Sequence, residues 1–135
     1  MSTNLDLITG SLRLCKVLGE TDTASAEQGS IALPFLNRMM ETWTESGIEL
    51  GWFEQSSTSA TAPVPKWSEQ GIISKLSQVL SGVYDEAVLP RWAWDDKLNG
   101  YGMILRKCML EAMETADMDH MPLGSGSRGN ILTGE

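Results

Sequence analysis

Chemistry in this chain would have to come from few side chains, because its 135 residues include one His and two Cys. Asp95 and Asp96 are adjacent, so on a helix they diverge by about 100° and do not readily share a proton or a metal. Asp117, Asp119 and His120 have donor types suited to a divalent cation. They fall where helical patterning gives way to a polar tail, with no second cluster beside them, and solvated charge is the plainer reading. Glu41, Glu45 and Glu49 recur every fourth residue and form a negative face near the end of the second helical stretch. Acid pairs for glycoside hydrolysis are set by distance in space rather than by sequence spacing. A small cell-wall glycan hydrolase working through Asp/Glu pairs therefore stands as an alternative function.

Nucleophilic chemistry has less to build on. Cys15 and Cys108 each fall on the apolar stripe of a helix, where a thiol behaves as a small buried hydrophobe. They are too few and too far apart for a disulfide framework or a zinc cluster. The Gly124–Gly129 stretch lacks the lysine of a phosphate-binding loop, and no helix follows it. The expectation is no catalytic residue, no metal and no cofactor.

The elements that would position any site are helical. Leu5, Ile8, Leu12 and Cys15 step by three and four, with Thr3 and Asp6 as a capping box and Gly19 as a stop. Ser25 and Gln28 make a second capping box before Ala32, Leu36, Met39, Met40 and Trp43, and Gly47 ends that helix. Pro34 lies inside it, where a missing N–H and a clash with the preceding turn predict a kink near Ser30 and Ile31, or a break. Pro65 opens a third helix striped by Ile72, Leu76, Val79, Leu80 and Val83. Trp94, Leu98, Tyr101, Leu105, Cys108 and Ala112 give the most regular stripe, weakened by Gly100 and Gly102, which predict a close approach by another segment. The expected fold is all-α: a four-helix bundle over residues 1–115 with a long middle loop and an extended C-terminal arm. Its helices cover about 4–18, 25–46, 66–82 and 90–115, the loop 47–65 and the arm 116–135. Gly51–Glu54 in the loop has the composition of a short strand.

Composition narrows the function classes. Ten Lys and Arg against 18 Asp and Glu leave a net charge of −8, which excludes a generally basic nucleic-acid binder. No apolar run approaches the roughly 18 residues of a membrane span, and the opening Met1–Asp6 lacks the basic start of a secretory signal. A cytoplasm-like, reducing compartment is expected. Five Trp and eight Met are residue types enriched where proteins meet proteins. Trp43 and Trp94 fall on core stripes. Trp52, Trp67 and Trp92, with Phe53, lie in loops or at helix starts and are candidates for an interface with a neighbouring subunit or another protein.

The order of several segments is more specific. Ser11-Leu12-Arg13-Leu14 through Val17-Leu18-Gly19-Glu20 is followed by Ser25-Ala26-Glu27, then by Leu36-Asn37-Arg38-Met39-Met40-Glu41-Thr42-Trp43 and Gly47-Ile48. With Gly82-Val83-Tyr84-Asp85 and Met121-Pro122-Leu123-Gly124-Ser125-Gly126, this series resembles the head-to-tail adaptor family of tailed phages, the tail accessory or packaged-DNA stabilisation proteins. The resemblance implies a helical structural protein with an extended arm. It implies assembly with identical subunits as a ring, usually of twelve copies, beneath the portal protein, lengthening the channel and retaining the genome. It further implies a platform for a downstream tail or nozzle protein, with genomic DNA passing through the channel without specific binding and no membrane contact. Met121, Pro122, Leu123, Gly124, Ser125, Gly126 and Ser127 are then the expected portal-binding residues, and the location is the virion connector, assembled in the host cytoplasm. A helical interaction adaptor of a non-viral complex is the remaining alternative.

Overall fold

The computed structural model describes residues 2–119, with side chains described through residue 113. Among these the chain is all-helical. Four helices run α1 (Asn4–Leu14), α2 (Ala26–Glu45), α3 (Glu69–Ser81) and α4 (Tyr101–Asp119), with 3₁₀ turns at Lys66–Ser68 and Arg91–Trp94. The chain divides into two units, Met1–Leu105 and Arg106–Glu135, and α4 contributes residues to both.

Both capping boxes form. Asp6 N–H donates to Thr3 Oγ1 at 3.1 Å and Thr3 N–H returns a bond to the Asp6 carboxylate at 3.0 Å. Ser25 and Gln28 exchange the same pair at 2.9 and 3.1 Å. Two orphan donors at each helix start are thereby satisfied. Gly47 (φ 97) ends α2 as expected, with Ile48 N–H reaching back to the Trp43 carbonyl at 2.9 Å. By contrast α1 stops at Leu14 rather than at 18. Its left-handed residue is Lys16 (φ 67), and the Val17 N–H closes on the Leu12 carbonyl at 3.0 Å. The same six-to-one bond terminates both helices, but at Lys16 it is made without glycine, so Gly19 is not the stop.

Helix α2 runs unbroken through Pro34. Pro34 and Ser30, the residue whose carbonyl loses its donor, are both exposed, so water can satisfy that group.

In the Met1–Leu105 unit, α1 packs chiefly on α3 and α2 packs on both. Ile8, Leu12, Cys15, Ala32, Leu36, Ile72, Leu76, Leu80 and Ile104 are sealed from solvent. Small residues let α1 and α3 approach. A Cβ on Gly10 would sit 3.1 Å from Ile73 Cδ1, and the Ser11 hydroxyl donates to the Ile73 carbonyl at 3.1 Å.

The fourth predicted helix is the main correction. Helix begins at Tyr101, not at 90. Asp95 Oδ1 accepts from Lys97 N–H at 3.0 Å and Asn99 Oδ1 accepts from Tyr101 N–H at 3.0 Å, while Gly100 takes φ 93. Side chains that bond their own backbone offer an alternative to the helix, and Asn-Gly is a turn signal. The regular stripe therefore does not face a core: Trp94 is 56% and Leu98 64% exposed, whereas Ile104 is fully buried. The expected close approach does occur, between Gly100 and Gly71 of α3. A Cβ on Gly71 would lie 2.9 Å from the Gly100 carbonyl oxygen and 2.5 Å from Ile104 Cδ1.

Gly71→Ala should accordingly destabilise the protein by about 1–3 kcal/mol, the range for overpacking against backbone and core, read as a lower urea midpoint. A pH dependence follows from burial. The Cys15 thiol and the Tyr84 and Tyr101 hydroxyls are all pushed up, chiefly by desolvation, with the charge of Glu86 adding at Tyr84 and that of Asp96 at Tyr101, while backbone hydrogen bonds offset part of the shift at Cys15. The folded chain thus keeps protons that the unfolded chain releases. Stability present at neutral pH should fall as pH rises above about 8.5, where an exposed thiol titrates. Thermal unfolding midpoints across that window check the sign.

Candidate functional site

The long segment between α2 and Lys66 forms no strand, and Gly51–Glu54 is irregular. What holds it is a set of amides, Asn4 and Gln55 buried and Asn37 half-buried. Asn4 Nδ2 donates to Gln55 Oε1 and to the Ser57 carbonyl, both at 2.9 Å. Gln55 N–H donates to Asn37 Oδ1 at 2.9 Å, Asn37 Nδ2 donates to the Gln55 carbonyl at 2.8 Å, and Gln55 Nε2 donates to the Phe53 carbonyl at 2.9 Å. The start of α1 adds backbone bonds, Asn4 N–H to Ala60 O and Leu5 N–H to Thr58 O, beside a single antiparallel bridge between Thr3 and Thr61. Ile48, Leu50, Ala62 and Val64 point inward, so the loop is a fixed layer over α1 and α2.

That layer presents a charged and aromatic surface. Glu41, Thr44 and Glu45 of α2 line a shallow groove of about 250 Å³ with Trp52, Phe53 and Glu54. Phe53 is 65% exposed, and the three carboxylates are solvent-facing. A polar depression of about 520 Å³ adjoins it through the shared Glu41 and Glu54 and is floored by Leu33, Pro34, Asn37 and Gln55. Trp52 is half-buried, and its indole N–H has no hydrogen-bond partner among the described residues.

A second surface surrounds the 3₁₀ turn at Arg91–Trp94. Arg91, Trp92, Trp94, Asp95, Asp96 and Leu98 line an open depression of about 800 Å³. Its floor is braced from behind: the Ala93 carbonyl accepts from Gln78 Nε2 at 2.7 Å and from Asn99 Nδ2 at 2.8 Å. Lys75 pairs with Asp96 at 2.9 Å while lying 4.4 Å from the Tyr101 ring centre. Trp92 and Trp94 are thus held outward by buried polar contacts.

Of the interface candidates, Trp52 and Phe53 share one groove, Trp92 lies in the other, and Trp67 is half-buried in its own 3₁₀ turn. Trp94 and Leu98 belong with Trp92 and were missed as surface residues because the stripe placed them in a core. The Asn99-Gly100 pair was the signal that could have exposed the error. Of the predicted acidic face, Glu41 and Glu45 meet Glu54, while Glu49 does not line that groove. Cys15 is buried, with a thiol less acidic than usual, and Cys108 is half-buried. The Met121–Ser127 segment and His120 lie outside the described residues. In the Arg106–Glu135 unit, Met109, Leu110 and Met113 of α4 are more than half exposed.

Chemically, the two grooves offer charge and apolar contact. Glu41, Glu45 and Glu54 are all open to water. Among the described residues no group of three His, Cys, Asp or Glu side chains is placed to hold a metal ion, and no helix is long and apolar enough to cross a membrane. No protein-family model, curated protein or solved structure matches this chain.

Removing the central amide tests whether it positions the exposed ring. Gln55→Ala should cost about 1–3 kcal/mol, the scale for stranding buried partners. It should also speed hydrogen exchange of the loop amides around Phe53 and Ser57 while leaving α3 protected. Unchanged exchange in the loop would show that the apolar anchors alone hold it.

Proposed function

We propose that the chain is a structural protein of a tailed-phage virion, a head-to-tail connector adaptor. In this reading it assembles as a ring beneath the portal, extends the DNA channel, retains the packaged genome and offers a platform for the next tail component. The observation that carries the reading is the ordered series from Ser11-Leu12-Arg13-Leu14 through Ser25-Ala26-Glu27 to Asn37-Arg38-Met39-Met40-Glu41-Thr42-Trp43. These segments lie on α1, on the cap of α2 and along α2. The exposed aromatic side chains beside charged rims support a role in contacts between proteins. The net charge of −8 supports passage of DNA without adhesion, since like charges repel along the channel.

A second reading, a glycan hydrolase, draws on the single groove that gathers Glu41, Glu45 and Glu54 beside Trp52 and Phe53. Zymography on cell-wall glycan separates the two. Clearing by the unsubstituted chain that Glu41→Gln, Glu45→Gln or Glu54→Gln abolishes would replace the adaptor reading.

For the adaptor, the arm after Asp119 is the portal contact. The purified chain should sediment as a monomer at micromolar concentration and form rings only on a cognate portal. A chain ending at Asp119 should keep its helicity by circular dichroism and lose co-sedimentation with the portal. Full portal binding by the shortened chain would remove Met121–Ser127 from the mechanism.

A further inference from the structure

We infer that α4 pairs antiparallel with α4 of a second copy of this chain, through the face at positions Arg106, Leu110, Met113 and Asp117. The inference goes beyond the connector reading and does not rest on it.

Those four positions are spaced by four, three and four. The helix runs through Asp119, so at 100° per residue they fall within about 60° of one another around its axis. Leu110 is 53% and Met113 55% exposed, with Met109 beside them at 62%. Among the described residues of the Arg106–Glu135 unit, α4 is the only element. Within that unit these large apolar side chains have no other described element to pack on, and apolar surface gathered on one face marks a contact with another molecule.

Charge says what that molecule is. Arg106 and Lys107 come first along the unit, and Glu111, Glu114, Asp117 and Asp119 follow. A solitary helix is stabilised by the reverse order, acids toward its start and bases toward its end. Helix α4 has no acid in its first turn and no base in its last. Its order suits a neighbouring helix of the same sequence that runs the other way. Steps of four, three and four read the same from either end, so a two-fold axis midway between Leu110 and Met113 relates the face to itself. That axis sets Arg106 against Asp117 of the second copy, and Leu110 against Met113 of the second copy. Opposite charges then meet at both ends with apolar side chains between them, each contact occurring twice as a two-fold interface requires. A parallel neighbour would instead bring like charge level with like charge at both positions. About three turns of one helix bury far less than the roughly 1,000 Å² of a stable complex. The pair is therefore weak, in keeping with a chain that is a monomer at micromolar concentration.

Sedimentation equilibrium of the full chain from about 10 µM to about 1 mM tests this pairing over the range of a weak dissociation constant. Mass should rise from one copy toward two and stop there, because the face closes on itself. Leu110→Glu, with unchanged helicity, should weaken association by about tenfold or more. Arg106→Asp and Asp117→Arg should each weaken it too. Both changes in one chain should restore it, since the exchanged charges again meet their opposites across the axis. The pairing is overturned if mass does not depend on concentration or climbs past two copies. It is equally overturned if Leu110→Glu associates as strongly as its parent, or if the doubly substituted chain pairs no better than either single variant.

Discussion

Irregular chain can lie on a helical core only if its buried backbone groups find partners, and in this protein three amide side chains meet that requirement. Asn4, Asn37 and Gln55 come from α1, α2 and the loop itself, and they join these segments through hydrogen bonds of 2.8 to 2.9 Å. An amide suits the task because it carries both donors and acceptors without a charge to desolvate. With the backbone fixed at Gln55, the chain just before it has little freedom, and Phe53 is turned to solvent beside Glu54. The acidic groove is thus a consequence of how the loop is tied against α2, which supplies Glu41 and Glu45 to it.

The second surface depends on a similar device. Gly71 and Gly100 bring α3 and the 91–100 turn into backbone contact that no Cβ would allow. Buried Asn99 then holds the Ala93 carbonyl while directing Tyr101 into helix. Close packing on one side forces the bulky side chains of that turn to the other. Trp92, Trp94 and Leu98 are exposed for that reason.

Both surfaces sit on the Met1–Leu105 unit. Polar side chains here brace the turn: Gln78 and Asn99 both serve a single carbonyl, and Lys75 links Asp96 to the Tyr101 ring.

What was legible from the residues alone was whatever is local. Capping boxes at Thr3 and Ser25, the stop at Gly47, and the stripes of α1, α2 and α3 follow from contacts three or four positions apart, and periodicity reads those directly. Pro34 misled in part, because whether a freed carbonyl is costly depends on whether water reaches it, which is a property of the packed surface. The 90–115 stripe misled more. Trp94 and Leu98 keep helical spacing with Tyr101 and Leu105, yet Asn99 and Gly100 break the helix and leave those side chains outside. The amide tie among Asn4, Asn37 and Gln55 spans as many as 51 positions, and no spacing rule reaches that far. Helix identity was therefore a property of the sequence, while the two exposed faces were decided only when distant segments packed, since burial and hydrogen-bond partners across the fold exist only in three dimensions.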